Sequence, residues 1–276
     1  MSLRSAIKSS LPMYLLETIQ SQQQLAPVYG GSFFASWFAA LSPGKHRALE
    51  QSRLGLLPAS LRRAMALVVD IGANEGQWIE SLLDLIRIQQ TFVIEPNPAA
   101  MLRCKERLRG RPGITFSDVA VGSKRDSAVL HVTKSSDFSS LLIPNHHLID
   151  ANYGHESSAI VGEQRVEVVP LDDLLPAGEE IDLMKIDVQG FEREVLAGST
   201  GALRRTRAVV VETNFQSHYS NDSTFEALFR LFTRDLGFSF WNISNPFHGK
   251  TGQSLWADAI FINPALVSQD GESVRP

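Results

Sequence analysis

A single cysteine, Cys104, stands among 276 residues, so no intramolecular disulfide framework holds this chain. In MLRCKERL it sits within a helical pattern, where a lone thiol packs as a small apolar group. No stretch approaches the roughly 18 consecutive apolar residues of a membrane span. The opening MSLRSAIKSSLPMYLLETIQ has too short an apolar run for a leader, and Glu17 interrupts it. Blocks of one charge are also missing. The net charge is −4, with 26 basic and 30 acidic residues interspersed, which argues against a nucleic-acid platform. Internal repeats and low-complexity tracts are absent. The expectation is a soluble, cytoplasmic protein with no membrane span and no nucleic-acid partner.

What is present is apolar material, 43% of the residues, in a pattern that changes along the chain. Residues 1–65 read as an N-terminal helical extension, with Leu15, Leu16 and Ile19 at helical spacing. Its cluster Phe33, Phe34, Trp37 and Phe38 is a candidate lid for an acceptor pocket or a homodimer face. From Leu67, short apolar runs alternate with amphipathic segments. LVVDI, TFVIE, ITFSDVAV, RVEVVPL, IDLMKID and AVVVET read as strands. GQWIESLLDLIRI, PAAMLRCKERLR, FEREVLAGSTGAL and STFEALFRLFTRDL read as helices. AVLHVT is a hairpin arm, LDDLL a short helical turn, and 134–162 a long polar loop with room for one short helix, holding His146, His147 and His155. FSFWNI and ADAIFIN close the chain as two strands with no helix between them. This is an α/β pattern: a Rossmann-like, seven-stranded, mostly parallel sheet with an antiparallel edge strand. The domain spans 66–264, and 265–276 form a loose tail.

VVDIGANEGQW, Val68 to Trp78, leaves a strand through an acid and two glycines before a helix begins. Such a turn makes a polar ligand site, because glycine lets the backbone approach and the helix start presents amide donors. The spacing G-A-N-E-G is not the dinucleotide fingerprint, and no G-K-[ST] of a phosphate loop follows. Asp70, just before the turn, suits a ligand with positive charge. In TFVIEP, Glu95 ends the second strand, where a carboxylate accepts hydrogen bonds from both hydroxyls of a ribose. Together the two motifs call for a nucleoside with a cationic, amino-acid-like tail. S-adenosylmethionine has these parts.

At this point the chain resembles a class I methyltransferase, and more narrowly the FkbM-type family. The family's D-x-G-A-N-x-G loop is matched by Asp70, Gly72, Ala73, Asn74 and Gly76. Its acid–proline pair is matched by Glu95 and Pro96. VVPLDDLL resembles its V-x-x-L-D-D-L segment. MKIDVQGFE resembles its L-K-I-D-V-E-G-x-E block, and VLAGSTGAL follows the pattern. Residues 1–65 and about the last 50 fall outside the resemblance. Gln189 stands where the family has Glu, so this side chain cannot be the base and keeps only a positioning role. The resemblance implies O-methylation by S-adenosylmethionine of a hydroxyl on a sugar or natural product. Methylation of an RNA or protein, or a non-catalytic scaffold, are the competing readings. The mixed charge disfavours RNA, and KIDVQG is not the N/D-P-P-Y motif of many N-methyltransferases.

The roles divide along the strand ends. Gly72 and Asn74 are expected at the methionine tail, Glu95 at the ribose, Asp118 at the adenine amino group and Val119 on the ring. An alcohol needs a proton acceptor during attack. Asp187 is the first candidate, with Lys185 two residues earlier on the same strand face. Glu212 ends the next strand, and Asp187, Glu212 and Asn214 would suit Mg²⁺ if they converge. His218 and His248 are alternative bases, since a neutral imidazole titrates in the useful range. The segment DFSSLL, 137–142, is placed to close over donor and acceptor.

Overall fold

A computed structural model describes residues 54–267, apart from 63, 154, 155, 221 and 245. The expected N-terminal helices, the Phe33 to Phe38 cluster, His155 and residues 268–276 lie outside the described residues. No described helix is long and apolar enough to cross a membrane.

The main sheet has eight strands. One side of it is built from β1 (Ala64–Ile71), β2 (Arg87–Ile94) and the edge strand β3 (Ile114–Ser117). On the other lie β7 (Ile181–Ile186) and β8 (Thr206–Asn214). These five run parallel, in the order β8-β7-β1-β2-β3. The last strand, β11 (Ser254–Ile262), lies antiparallel on β8. The outer edge of β11 is shared by β9 (Ser239–Ile243) and the short β10 (Phe247–His248). The expected antiparallel edge is therefore present, and this sharing raises the count from seven strands to eight.

Helix α1 (Gln77–Leu85) connects β1 to β2, and α2 (Pro98–Arg107) connects β2 to β3. Asn97 caps α2 by accepting from the Ala99 and Ala100 amides, with Pro98 as the first helical residue. The first helix is shorter than its periodicity suggests. Ile86 is already extended (φ −130°, ψ 140°), and Arg87 pairs with Ala64 of β1. Sheet pairing overrides the helical spacing of LIRI.

ITFSDVAV is two strands, not one. After Ser117 the chain leaves the main sheet, and β4 (Ala120–Val121) joins a separate three-stranded sheet ordered β4-β6-β5. Its other members are β5 (Asp126–Thr133) and β6 (Ile160–Val169). Here Ala120, Leu130, Val166 and Val168 form a small core of their own. RVEVVPL thus lies outside the main sheet. Within 134–162 the chain forms a helix, α3 (His146–Tyr153). The helical turn α4 (Leu171–Leu174) follows β6. FEREVLAGSTGAL divides into α5 (Glu192–Ala197) and α6 (Thr200–Arg204), and α7 (Phe225–Arg230) runs on into a π-helical turn, Leu231–Asp235.

Alternation along the strands fills two cores. Leu67, Val69, Met184, Val209 and Phe261 face α5 to α7. Val68, Leu183, Ala208, Val210 and Ile260 face α1 and α2. Leu57 and Leu61 are buried in this second core and Val267 packs on it, so the packed body exceeds the expected 66–264 limits at both ends.

The strand order reverses between β1 and β7. In an open parallel sheet, ligands bind beyond the carboxyl ends of the strands at that crevice. Asp70 and Asp187 end the two strands that flank it.

Candidate active site

Two loops meet backbone to backbone at the crevice. Gly72 has φ +78°, and a Cβ there would lie 1.8 Å from the Asp187 carbonyl oxygen. Asn74 follows in the same left-handed region (φ +49°). Gly76 leads into α1, and a Cβ on it would come within 2.6 Å of Cys104 Sγ. The lone cysteine therefore packs beneath the turn, and burial pushes its thiol up to about 12.

The amides expected to meet a ligand are partly spent. Those of Gly72 and Ala73 both donate to the Ile94 carbonyl, at 2.9 and 3.1 Å. That of Asn74 donates to Glu95 Oε2 at 2.8 Å. What remains for a ligand is the first turn of α1, whose amides have no intrahelical acceptor. Glu95 is itself a brace, since its Oε1 accepts from the Asn97 amide at 2.8 Å. Burial pushes its carboxyl up to about 7 despite these two bonds. Pro96 is half-buried beside it. At the end of β3, Asp118 is exposed and held by Lys105 Nζ at 2.8 and 3.0 Å. Val119 packs against the first core.

A row of charged groups crosses the strand ends. Asp70 is fully buried and faces Lys185 in register across β1 and β7. The expected Lys185–Asp187 pair is formed, Nζ to Oδ2 at 2.7 Å. Burial opposes the lysine's charge, yet the carboxylates of Asp187, Asp70 and Asp258 raise its pKa above the usual lysine range. Glu212 faces Asp258 across β8 and β11. Burial, with the charges of Asp187 and Asp258, raises the Glu212 carboxyl well above its ordinary value.

Gln189 joins the two strand-end acids. Its Nε2 donates to Asp187 Oδ1 at 2.8 Å and to Glu212 Oε1 at 3.1 Å. Its Oε1 accepts from the Tyr219 hydroxyl at 2.7 Å. The expected oxygen cage of Asp187, Glu212 and Asn214 is therefore not formed, because an amide donor lies between the carboxylates. Among the described residues, no group of three His, Cys, Asp or Glu is placed to hold a metal ion. Asn214 continues β8 and forms an isolated bridge to Thr224.

His218 is buried. Its Nδ1 lies 2.9 Å from the Gln216 carbonyl, which makes Nδ1 the protonated nitrogen. Nε2 lies 3.3 Å from the Tyr153 hydroxyl. Burial lowers its pKa, so the ring stays neutral. Tyr153 stacks on Phe247 (centroids 5.0 Å), and Phe247 on Trp256 (5.7 Å). His248 belongs to β10, with Nδ1 3.4 Å from Ser254 Oγ. His146 and His147 open α3.

The 137–142 segment does reach the site. The Asn74 side-chain amide donates to Asp137 Oδ1 at 2.9 Å, and Ser140 Oγ donates to the Gln189 carbonyl at 2.7 Å. Burial, then the charge of Asp187, raises the Asp137 carboxyl.

Sequence reasoning missed Tyr219, Tyr153 and Asp258, and named Asp137 only as part of the 137–142 segment. Asp258 carried a local signal, an acid inside the otherwise apolar strand ADAIFI. The two tyrosines reach the site only through long-range packing.

A family model described as the methyltransferase FkbM domain matches residues 70–240. A 2-O-methyltransferase, NoeI, from Sinorhizobium fredii is 31% identical over 180 residues, covering 62% of this chain and 72% of its own length. A hexuronic acid methyltransferase, AglP, from Haloferax volcanii is 32% identical over 123 residues, 44% of this chain and 46% of its own. The crystal structure of methyltransferase FkbM from Methylobacillus flagellatus shares the fold, with a TM-score of 0.50 at 16% identity. That match covers 90% of this chain and 59% of that one.

Proposed function

The chain belongs to the FkbM methyltransferase family, and from that premise we propose that it transfers the methyl group of S-adenosylmethionine to a hydroxyl of a sugar. The observation that carries the donor is the charge of the crevice. Asp70, Glu95, Asp137, Asp187, Glu212 and Asp258 approach it, and Lys185 is the buried cation among them. A cleft with that balance favours a ligand bearing a sulfonium and an ammonium. The names of two relatives support the acceptor, one stating 2-O-methylation and the other a hexuronic acid. The column of Tyr153, Phe247 and Trp256 offers an aromatic wall for the apolar face of a sugar ring.

The donor's carboxylate would meet the amides that open α1, its ribose Glu95, and its adenine Asp118 and Val119. Methyl transfer is an in-line displacement. The acceptor oxygen forms a bond to the methyl carbon as the carbon–sulfur bond breaks, and the electron pair stays on sulfur. The hydroxyl proton must leave during attack. Lys185 and Gln189 both donate to Asp187, which suits it to orienting the hydroxyl. Glu212, with its raised proton affinity, takes the proton. Binding of a cationic donor nearby favours the ionised form of Glu212, which readies it for that step.

Calorimetric titration with S-adenosylhomocysteine, against NAD as a control, tests the donor. Micromolar binding of the first and none of the second is expected. A folded chain that ignores S-adenosylhomocysteine would sink the reading. Transfer of labelled methyl to a panel of hexuronic-acid-containing oligosaccharides then tests the acceptor, and label appearing only on RNA or protein would overturn it.

A further inference from the structure

We propose that the Gln189 carboxamide takes the place of a bridging divalent cation between Asp187 and Glu212, holding the two carboxylates in one working geometry. The inference deepens the methyl-transfer reading above and rests on it. Two acids that close the ends of neighbouring parallel strands repel each other in a low-dielectric crevice. A divalent ion among oxygen ligands is one remedy. Here a single nitrogen does the bridging, with one hydrogen for Asp187 Oδ1 at 2.8 Å and one for Glu212 Oε1 at 3.1 Å.

Three features fix the amide in that role. First, the Tyr219 hydroxyl donates to Gln189 Oε1 at 2.7 Å. The hydroxyl donates into the carbonyl oxygen and the carboxylates accept, so Tyr219 and the acids together set the flip, oxygen to Tyr219 and nitrogen to the acids. Tyr219 is 2% exposed, and its ring packs on the same turn, where a Cβ on Gly190 would lie 3.0 Å from Tyr219 Cδ2. Second, the Gln189 backbone is left-handed, φ +54°. A non-glycine residue there is strained and persists only where its surroundings impose it. Ser140 Oγ, donating to the Gln189 carbonyl at 2.7 Å, is one of those constraints. Third, Lys185 already satisfies the other Asp187 oxygen at 2.7 Å, so the positive side of the acid pair is complete without an ion. An amide uses one lone pair on each carboxylate and adds no charge, so the pair keeps its affinity for a proton, whereas a divalent ion would lower it.

The test is titration of Mn²⁺ into the full chain in the presence of S-adenosylhomocysteine, for the wild type, Gln189→Glu and Tyr219→Phe. Gln189→Glu removes the donor and leaves three carboxylate groups around one point. Its Mn²⁺ affinity is expected to rise at least tenfold over wild type, and adding Glu212→Gln should return it to the wild-type level. Tyr219→Phe lets the amide turn its oxygen toward the acids, so a rise of several-fold is expected without any new charge. Wild-type affinity equal to that of Gln189→Glu, or both variants unchanged, would overturn the proposal. Failure of the wild type to bind S-adenosylhomocysteine would instead sink the donor reading and leave the Mn²⁺ contrast to be read by itself.

Discussion

On one face of the main sheet, two neighbouring levels of the same strands differ completely. At the strand centres, Val68, Leu183 and Ala208 lie side by side in register and are at most 1% exposed. Two residues further along, the first two strands carry Asp70 and Lys185, and beyond these come Asp187, Glu212 and Asp258. The central level is held by apolar burial, which is non-directional and insensitive to pH. The carboxyl-end level is held by charges out of water, where each group is tolerable only while its partner is present. The fold places its rigid, apolar level directly beneath the level where chemistry is proposed. The crevice can therefore hold uncomfortable charges without losing its shape.

The largest effect should separate the two levels by function. Glu212→Gln and Asp187→Asn are each expected to reduce methyl transfer by about 10²- to 10⁴-fold, with S-adenosylhomocysteine affinity changed little. Leu183→Ala, one level down, should leave turnover near wild type below its melting temperature. Steady-state rates with labelled donor check this, and full activity in both acid variants would remove the carboxyl ends as the reacting level.

Next, stability should fall at both levels but for different reasons. Leu183→Ala is expected to cost about 2–5 kcal/mol through lost packing and a cavity. Lys185→Met leaves Asp70 and Asp187 without their buried cation and should cost about 3–5 kcal/mol. Urea unfolding at two pH values distinguishes them. The leucine cost should be the same at both, whereas the lysine cost should shrink at low pH, where the stranded carboxylates can take up protons. Equal behaviour would mean that the charged row is packed like the apolar one.

A smaller effect is predicted for the pH dependence of the wild type. Burial pushes Glu192 up to about 8 and Glu95 up to about 7. A carboxyl raised on folding binds its proton more tightly in the native state. Stability is then fullest near the unfolded carboxyl value and falls as pH rises toward the folded one. The melting temperature should therefore drop between about pH 5 and pH 8. Glu192 Oε1 accepts from the Gly190 amide at 3.0 Å, while Oε2 is buried without a hydrogen-bond partner. Glu192→Gln mimics the protonated form, so it should flatten that slope and melt higher than wild type at the alkaline end. An unchanged slope would show that Glu192 is ionised throughout.

Much of the carboxyl-end level was legible because its signals are local. Asp70 to Gly76 announced a glycine turn into a helix, PAAMLRCKERLR read as the next helix, and the two-residue spacing of Lys185 and Asp187 placed both on one strand face. The bridge at Gln189 was not legible as such. It depends on Tyr219, thirty positions away, and on Glu212 of the neighbouring strand. The start of β2 at Arg87 and the departure of β4 from the main sheet were set by pairing partners that local periodicity does not reveal. Gly72, Ala73 and Asn74 were expected to touch a ligand, but the internal acceptors of their amides emerge only when Ile94 and Glu95 come alongside.

The smallest prediction concerns Asp118, the one strand-end acid that shares neither the burial of Asp70 nor the crowding of Glu212. Its partner Lys105 is also exposed, with side-chain exposures of 40% for the lysine and 55% for the acid. An exposed pair of this kind contributes about 0–1 kcal/mol to stability, so Asp118→Ala and Lys105→Ala should lower the melting temperature equally and slightly. Donor affinity should separate them. If Asp118 accepts from the adenine amino group, its removal costs one hydrogen bond, about 1 kcal/mol or a five-fold weaker Kd for S-adenosylhomocysteine. Lys105→Ala should leave Kd unchanged, because it removes a neighbour of that acceptor and not the acceptor itself. Equal Kd values in the two variants would take Asp118 out of the donor site and limit the charged level to the crevice between β1, β7 and β8.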